Sequence, residues 1–377
     1  MNSEAKKQIE NSLTCADDLK EALGLSDDEA VKYQKIIDRF PMRITPYYFS
    51  LVDTGNPDDP IRKMCVPSHE ELSLEGSFDT SGELSNTKLG GLQHKYRQTA
   101  LILSTNSCAM YCRHCFRKRL VGLDESEINR RLSEAVDYVK SHNEISNVLI
   151  SGGDPLTLPN HVLKNYLDAL SKIEHLDLIR IGSRIPVTLP QRISGDNELI
   201  NILREYNEKK PVAIVTQFNH PKEFTDESKK AVHALQHAGI LVRNQSVLLK
   251  DINDNPKTLS ELFRKITSFG VVPYYLFQCR PVAGVKTIFQ VPINRGIEIS
   301  DAAKNELNGF AKSFRYAMSH PRGKIEIIGK GSDGNTIFKF HQSKYPEDFS
   351  KIFTVRLSDK DTWLDDDLNG MYLDKTK

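Results

Sequence analysis

Six short runs rich in Val, Ile and Leu set the limits on this fold. They are ALILS at 100–104, NVLIS at 147–151, LIRIG at 178–182, VAIVT at 212–216, ILVRN at 240–244 and VVPYYLF at 271–277. After the first gap their starts recur about every 30 residues, the length of one strand–helix–strand unit. Amphipathic helical stretches lie between them. Examples are SEINRRLSEAVDYV at 126–139 and DESKKAVHALQHAG at 226–239, the second with Gly239 as a stop. Near-continuous apolar strands alternating with helices imply a parallel α/β sheet buried on both faces. Six such units suit an open, partial barrel or a doubly wound sheet, and the spacing does not choose between them.

The flanks differ from this core. Residues 1–95 read as a mostly helical N-terminal region, with SDDEAVKYQKIIDRF at 26–40 its clearest helix. Residues 96–290 form the core, and 291–377 a small C-terminal α+β region. In the latter, HPRGKIEIIGKGSDGNTIFKF at 320–340 looks like a Gly-punctuated strand pair. With 377 residues and 39% hydrophobic content, the chain suffices for one large domain with appendages. Lys and Arg number 51 against 50 Asp and Glu, so no broad basic surface favours nucleic acid or anionic membrane. No apolar run approaches the ~18 residues of a membrane span. The N-terminus has no apolar leader, so the cytoplasm is the expected compartment.

The segment CAMYCRHC places Cys108, Cys112 and Cys115 within eight positions, directly after the first strand run. In parallel α/β folds the chemistry sits at the C-terminal ends of strands, which is where these cysteines fall. Clustered cysteines in a reducing compartment read as metal ligands before disulfides. A structural zinc site normally has four ligands in two pairs, whereas Cys15, Cys65 and Cys279 stand alone. Three thiolates can hold three irons of a 4Fe–4S cluster and leave the fourth iron open.

C-x3-C-x2-C with His114 before the last cysteine resembles the radical S-adenosylmethionine (SAM) superfamily. More closely, CAMYCRHCFRKR, SGGDPLTL, RIGSRIPVTLPQRI, FNHPKE, RNQSVLLKDIND and PYYLFQC resemble, in order, the lysine 2,3-aminomutase family. The resemblance runs from about Pro41 to Lys324. It implies a partial (β/α)6 radical SAM barrel and a 4Fe–4S cluster on Cys108, Cys112 and Cys115, whose open iron binds SAM. It also implies pyridoxal phosphate (PLP) as a second cofactor, and an isomerase that moves an amino group between C2 and C3 of an amino acid. Ser151, Gly152, Gly153 and Asp154 match the segment along the SAM methionyl group, and His114 and Gln245 match further cofactor positions. Lys324 aligns with the catalytic lysine that holds PLP, with Lys330 as its competitor. Lys95 and Tyr96 match an arginine–tyrosine pair near PLP. Arg117 matches an arginine that grips the substrate α-carboxylate, while Lys118 and Arg119 read as a solvated basic face. A small-molecule amino acid and an electron donor such as flavodoxin or ferredoxin are the implied partners.

The sequence also departs from the family. Lysine-specific members hold the distant substrate ammonium with two aspartates, and those positions here are Arg280 and Ala317. A buried cation repels an ammonium, so lysine is disfavoured and a side-chain carboxylate, as in glutamate, is favoured. The family's zinc cysteines are missing, since Asn255 occupies one position and no cysteine follows Cys279. The oligomer that zinc organises is therefore not implied, although a homo-oligomer of another kind stays open. Two rival readings remain at this point. One is a family member acting on a carrier- or protein-bound amino acid, and the other an iron–sulfur regulatory protein without PLP.

Overall fold

The computed structural model describes residues 1–123, 128–129 and 131–371. Twelve strands form one sheet in which each strand lies beside its neighbours in sequence. They are β1 (Thr87–Leu89), β2 (Leu92–Tyr96), β3 (Thr99–Thr105), β4 (Asn147–Gly152), β5 (Leu178–Gly182) and β6 (Val212–Thr216). Then follow β7 (Leu241–Leu248), β8 (Val272–Gln278), β9 (Arg315–His320), β10 (Gly323–Lys330), β11 (Thr336–Ser343) and β12 (Ile352–Val355). Strands β3 to β9 run parallel. The flanking strands β1, β2 and β10 to β12 are antiparallel.

The six apolar runs are β3 to β8, and β9 adds a further parallel strand. A doubly wound sheet reverses its strand order at a switch point. The strictly sequential order seen here has no such point and gives the arc of an open barrel. No pairing between β1 and β12 closes it among the described residues.

Local sequence explains where the helices covering this arc begin and end. The helix Pro256–Ser268 starts with proline, and Asn255 Oδ1 accepts hydrogen bonds from the backbone of Lys257 (2.9 Å) and Thr258 (3.4 Å). Asn255, the position at which the family resemblance leads one to look for a zinc cysteine, is thus a helix cap. Leu259, Leu262, Phe263 and Ile266 bury the inner face of this helix, each contributing roughly 1.5–3 kcal/mol. The helix Asp226–His237 ends where Gly239 takes a φ of 79°. Of the helix expected over 126–139, residues 126, 127 and 130 lie outside the described residues, and the observed helix is Leu132–Ser141.

The N-terminal segment crosses the open side of the arc. Ser77 pairs with Val282 beyond β8. Lys95, on β2, donates to the backbone oxygens of Ser81 (3.2 Å) and of His320 on β9 (2.6 Å). The two flanks of the parallel strands are therefore joined across the seam. No helix among the described residues is long and apolar enough to cross a membrane.

Candidate active site

Cys108, Cys112 and Cys115 lie in the loop after β3, half-buried and with free thiols. An ionic anchor holds this loop. Glu71, fully buried, accepts from Arg113 Nε (2.9 Å) and Lys118 Nζ (2.6 Å), and Arg113 Nη1 donates to the Pro41 carbonyl (2.9 Å). Burial pushes the Glu71 carboxyl up, but Arg113 and Lys118 outweigh it and hold the pKa below the ordinary value. The basic stretch is therefore not a solvated face. Lys118 is buried on Glu71, and Arg119 Nη2 reaches Glu83 at 3.1 Å.

The two glycines of SGGD are required by the cysteine loop. A Cβ on Gly152 would lie 2.3 Å from the Thr105 carbonyl oxygen, and one on Gly153 would lie 2.3 Å from that of Ser107. The close approach is made by the chain's own backbone, which leaves the cysteine loop lying on the end of β4. Asp154 completes the turn. Its carboxylate accepts from the backbone of Leu156 (3.1 Å) and Arg184 (2.7 Å), while burial raises its pKa to about 6.

His114 is buried with a determinable tautomer. Asn219 Oδ1 accepts from Val247 N (2.9 Å), so Asn219 Nδ2 is the donor toward His114 Nε2 (3.2 Å). His114 Nε2 is then the acceptor and Nδ1 carries the proton. That Nδ1 has no hydrogen-bond partner among the described residues. Arg184 lies beside the cysteines, with Nη1 2.6 Å from Cys112 Sγ and Nη2 2.5 Å from Glu223.

A cationic surface extends along the arc from here. On β7, Arg243, Gln245 and Val247 are half-buried on one face, and the alternate residues are buried on the other. Arg180 on β5 and Arg243 each keep a buried Nε without a partner. Lys324, on β10 between Ser319 and Gln342, holds its ammonium 4.4 Å from the Tyr275 ring centroid and 5.6 Å from that of Phe277. Burial, then Arg180, Arg280 and Arg315, lower its pKa to about 7. Lys330 lies exposed at the far end of the same strand. Tyr96, on β2, has a buried hydroxyl that approaches Ser319 without forming a well-directed hydrogen bond. Lys95, engaged with two carbonyls, is lowered to about 7, chiefly by burial and then by Arg280.

Arg117 and Arg280 meet at the junction of the two regions. Arg117 Nε binds Glu83 Oε1 (3.0 Å), while its Nη1 donates to Ser151 Oγ (3.1 Å). Arg280 forms no ion pair among the described residues, and its buried Nη1 has no hydrogen-bond partner. Its Cζ lies 4.1 Å from the Phe116 ring centroid, and that of Arg117 lies 4.6 Å from the same ring. Ala317 is buried on β9 between Phe277 and Glu326, so no carboxylate balances Arg280 from that position. Sequence reading did not single out Glu71, Glu83, Phe116 or Arg184. The glutamates carry no spacing signal, whereas Phe116 and Arg184 sit inside motifs whose neighbours drew the attention.

The residues present suit anionic and soft-metal groups. Three thiols project from one loop, and no three His, Cys, Asp or Glu side chains among the described residues are grouped to hold a single metal ion. Ligands to separate irons of a cluster need not converge on one point. The unpaired donors of Arg180, Arg243 and Arg280 suit phosphate and carboxylate oxygens.

Comparison with known proteins agrees with this arrangement. Residues 102–263 match the model of the Radical SAM superfamily. The chain is 44% identical over 332 residues to the L-lysine 2,3-aminomutase of Methanococcus maripaludis, covering 86% of this chain and 75% of that protein. It is 38% identical to the L-lysine 2,3-aminomutase of Acetoanaerobium sticklandii, covering 81% and 73%. It is 37% identical to the glutamate 2,3-aminomutase of Clostridioides difficile, covering 87% and 78%. The sequential parallel arc, the cysteine loop on its end and these relatives together show that the chain belongs to the lysine 2,3-aminomutase family of radical SAM isomerases.

Proposed function

We propose that this protein is a PLP-dependent radical SAM aminomutase whose substrate is an acidic α-amino acid, glutamate being the simplest. The observation that carries the substrate class is Arg280, a desolvated guanidinium with an unpaired Nη1 and no ion-pair partner among the described residues. A buried cation of this kind needs an anion from elsewhere. Lysine would bring a second cation to it. A relative that is a glutamate 2,3-aminomutase supports the same reading.

Cys108, Cys112 and Cys115 would hold the cluster with SAM and Lys324 would hold PLP, which together would supply the hydrogen-abstraction and amino-group-transfer chemistry. The remaining work belongs to side chains. Arg117 turns one edge of its guanidinium to Glu83 and donates with Nη1 at the end of β4, where a substrate α-carboxylate can be received. Burial and the surrounding guanidiniums lower the Lys324 pKa to about 7, which favours the neutral amine that attacks an aldehyde. Arg180 and Arg243 offer free donors to a phosphate. The His114 Nδ1 proton offers one more donor beside Cys115. The N-terminal segment across the seam keeps water from the reacting atoms.

The test is turnover by reduced, reconstituted protein. Glutamate should be converted to its β-isomer with a kcat/KM above that for lysine. A ratio favouring lysine would overturn the substrate assignment.

A further inference from the structure

The Arg280 guanidinium carries five donors, yet no hydrogen bond or ion pair among the described residues holds it in place. Glu83 is close enough to matter electrostatically, but both its oxygens are engaged. Oε1 accepts from Arg117 and Oε2 from Arg119. The contact that does fix Arg280 is the Phe116 ring, 4.1 Å from its Cζ. The same ring lies 4.6 Å from Arg117 Cζ. A guanidinium over an aromatic face is attracted by the ring quadrupole while its in-plane N–H edges stay free for hydrogen bonds. Phe116 is therefore placed to hold two guanidiniums by their surfaces, leaving the edges of Arg280 and the Nη2 of Arg117 for carboxylates.

We infer that Phe116 is a positioning residue for substrate specificity. It fixes Arg280 relative to Arg117 so that the pair receives the two carboxylates of one acidic amino acid. Arg117 takes the α-carboxylate and Arg280 the side-chain carboxylate. Glu83 completes the unit by pinning the Nε edge of Arg117, and with both its oxygens engaged it leaves the Arg280 Nη1 without a hydrogen-bond partner. This inference rests on the acidic-substrate reading above and adds to it the residue that sets the geometry.

The test compares Phe116→Leu, which keeps bulk but removes the ring, with Phe116→Tyr, which keeps the ring. Each is made in the wild-type and the Arg280→Met backgrounds and reconstituted with iron. In the wild-type background Phe116→Leu should raise the glutamate KM by about tenfold, the scale of a partly desolvated cation–π contact, with kcat changed less than twofold. Phe116→Tyr should stay within about twofold of wild type in KM. In the Arg280→Met background Phe116→Leu should leave the glutamate KM unchanged, because the residue through which it acts is gone. Equal losses in the Leu and Tyr variants, or an undiminished Phe116→Leu effect without Arg280, would overturn the inference. So would iron loss in Phe116→Leu, since that would give the ring a role in the cluster loop. Failure of the underlying reading appears separately, as wild-type protein that prefers lysine.

Discussion

The ammonium of Lys324 lies 4.4 Å from the centre of the Tyr275 ring, and the charges that most influence it, those of Arg180, Arg280 and Arg315, are all positive. A lysine in that setting loses its proton far more readily than one in water. The neutral amine is the nucleophile, so capture of pyridoxal phosphate, fixed by borohydride and located by peptide mass, should follow a titration centred near pH 7. Labelling should fall about tenfold for each pH unit below that point. Arg280→Met removes one of the charges that depress the pKa, so the midpoint should move to higher pH. A label found on Lys330, or a pH profile unmoved by Arg280→Met, would refute the assignment of Lys324.

Cys112→Ala tests the cluster directly. Anaerobically reconstituted wild type should hold about four irons per chain, and the variant should lose them. One zinc per chain in the wild type, with no iron, would reject an iron–sulfur site.

Glu71 anchors the cysteine loop through two cations that would be left buried without it. Glu71→Ala should destabilise the protein by about 3–5 kcal/mol in denaturant titration. It should also lower iron content, because Arg113 lies between two of the cysteines. Full iron retention with a loss below about 1 kcal/mol would show that the anchor is dispensable.

The glycines beneath the loop give a steric version of the same test. In Gly153→Ala the new Cβ meets Ser107 backbone atoms at 2.3 Å and 2.7 Å, so the cysteine loop must shift. Gly90→Ala, where nothing lies within 4 Å, is the control. Iron content should fall in the first variant and hold in the second. Equal iron in both would mean that the loop accommodates the methyl group.

The parallel strands were legible because short Val- and Ile-rich runs recur at the spacing of strand–helix units, a local property that survives without tertiary information, although one face of β5 and β7 carries Arg180, Arg243 and Gln245. Their spacing did not fix the arrangement, since runs of equal spacing fit a barrel or a doubly wound sheet, and the partial barrel followed only from the family resemblance. The position of the cysteines was legible because their close spacing directly after a strand run confines them to one loop at its end. Glu71 and Glu83 were not, since a carboxylate gains meaning only from the cation that the fold brings to it. Lys118 shows the same limit from the other side. In sequence it reads as a surface charge, and only the return of residues 69–86 over the loop buries it. Ser151, Gly152, Gly153 and Asp154 were placed correctly at a strand end, but the backbone that crowds the glycines belongs to the chain itself.

Strict agreement between strand order and chain order bears on how the molecule is made. Each strand from β2 onward finds a pairing edge already laid down by its predecessor, so the sheet can grow vectorially as synthesis proceeds and never has to open to admit a late arrival. The contacts across the seam are different, among them the Ser77–Val282 pairing and the bond from Lys95 to His320, whose partners are 225 residues apart. The latter cannot form until β9 has been added. Growth is thus local at every step, and the seam acts as a terminal latch that records completion of the arc.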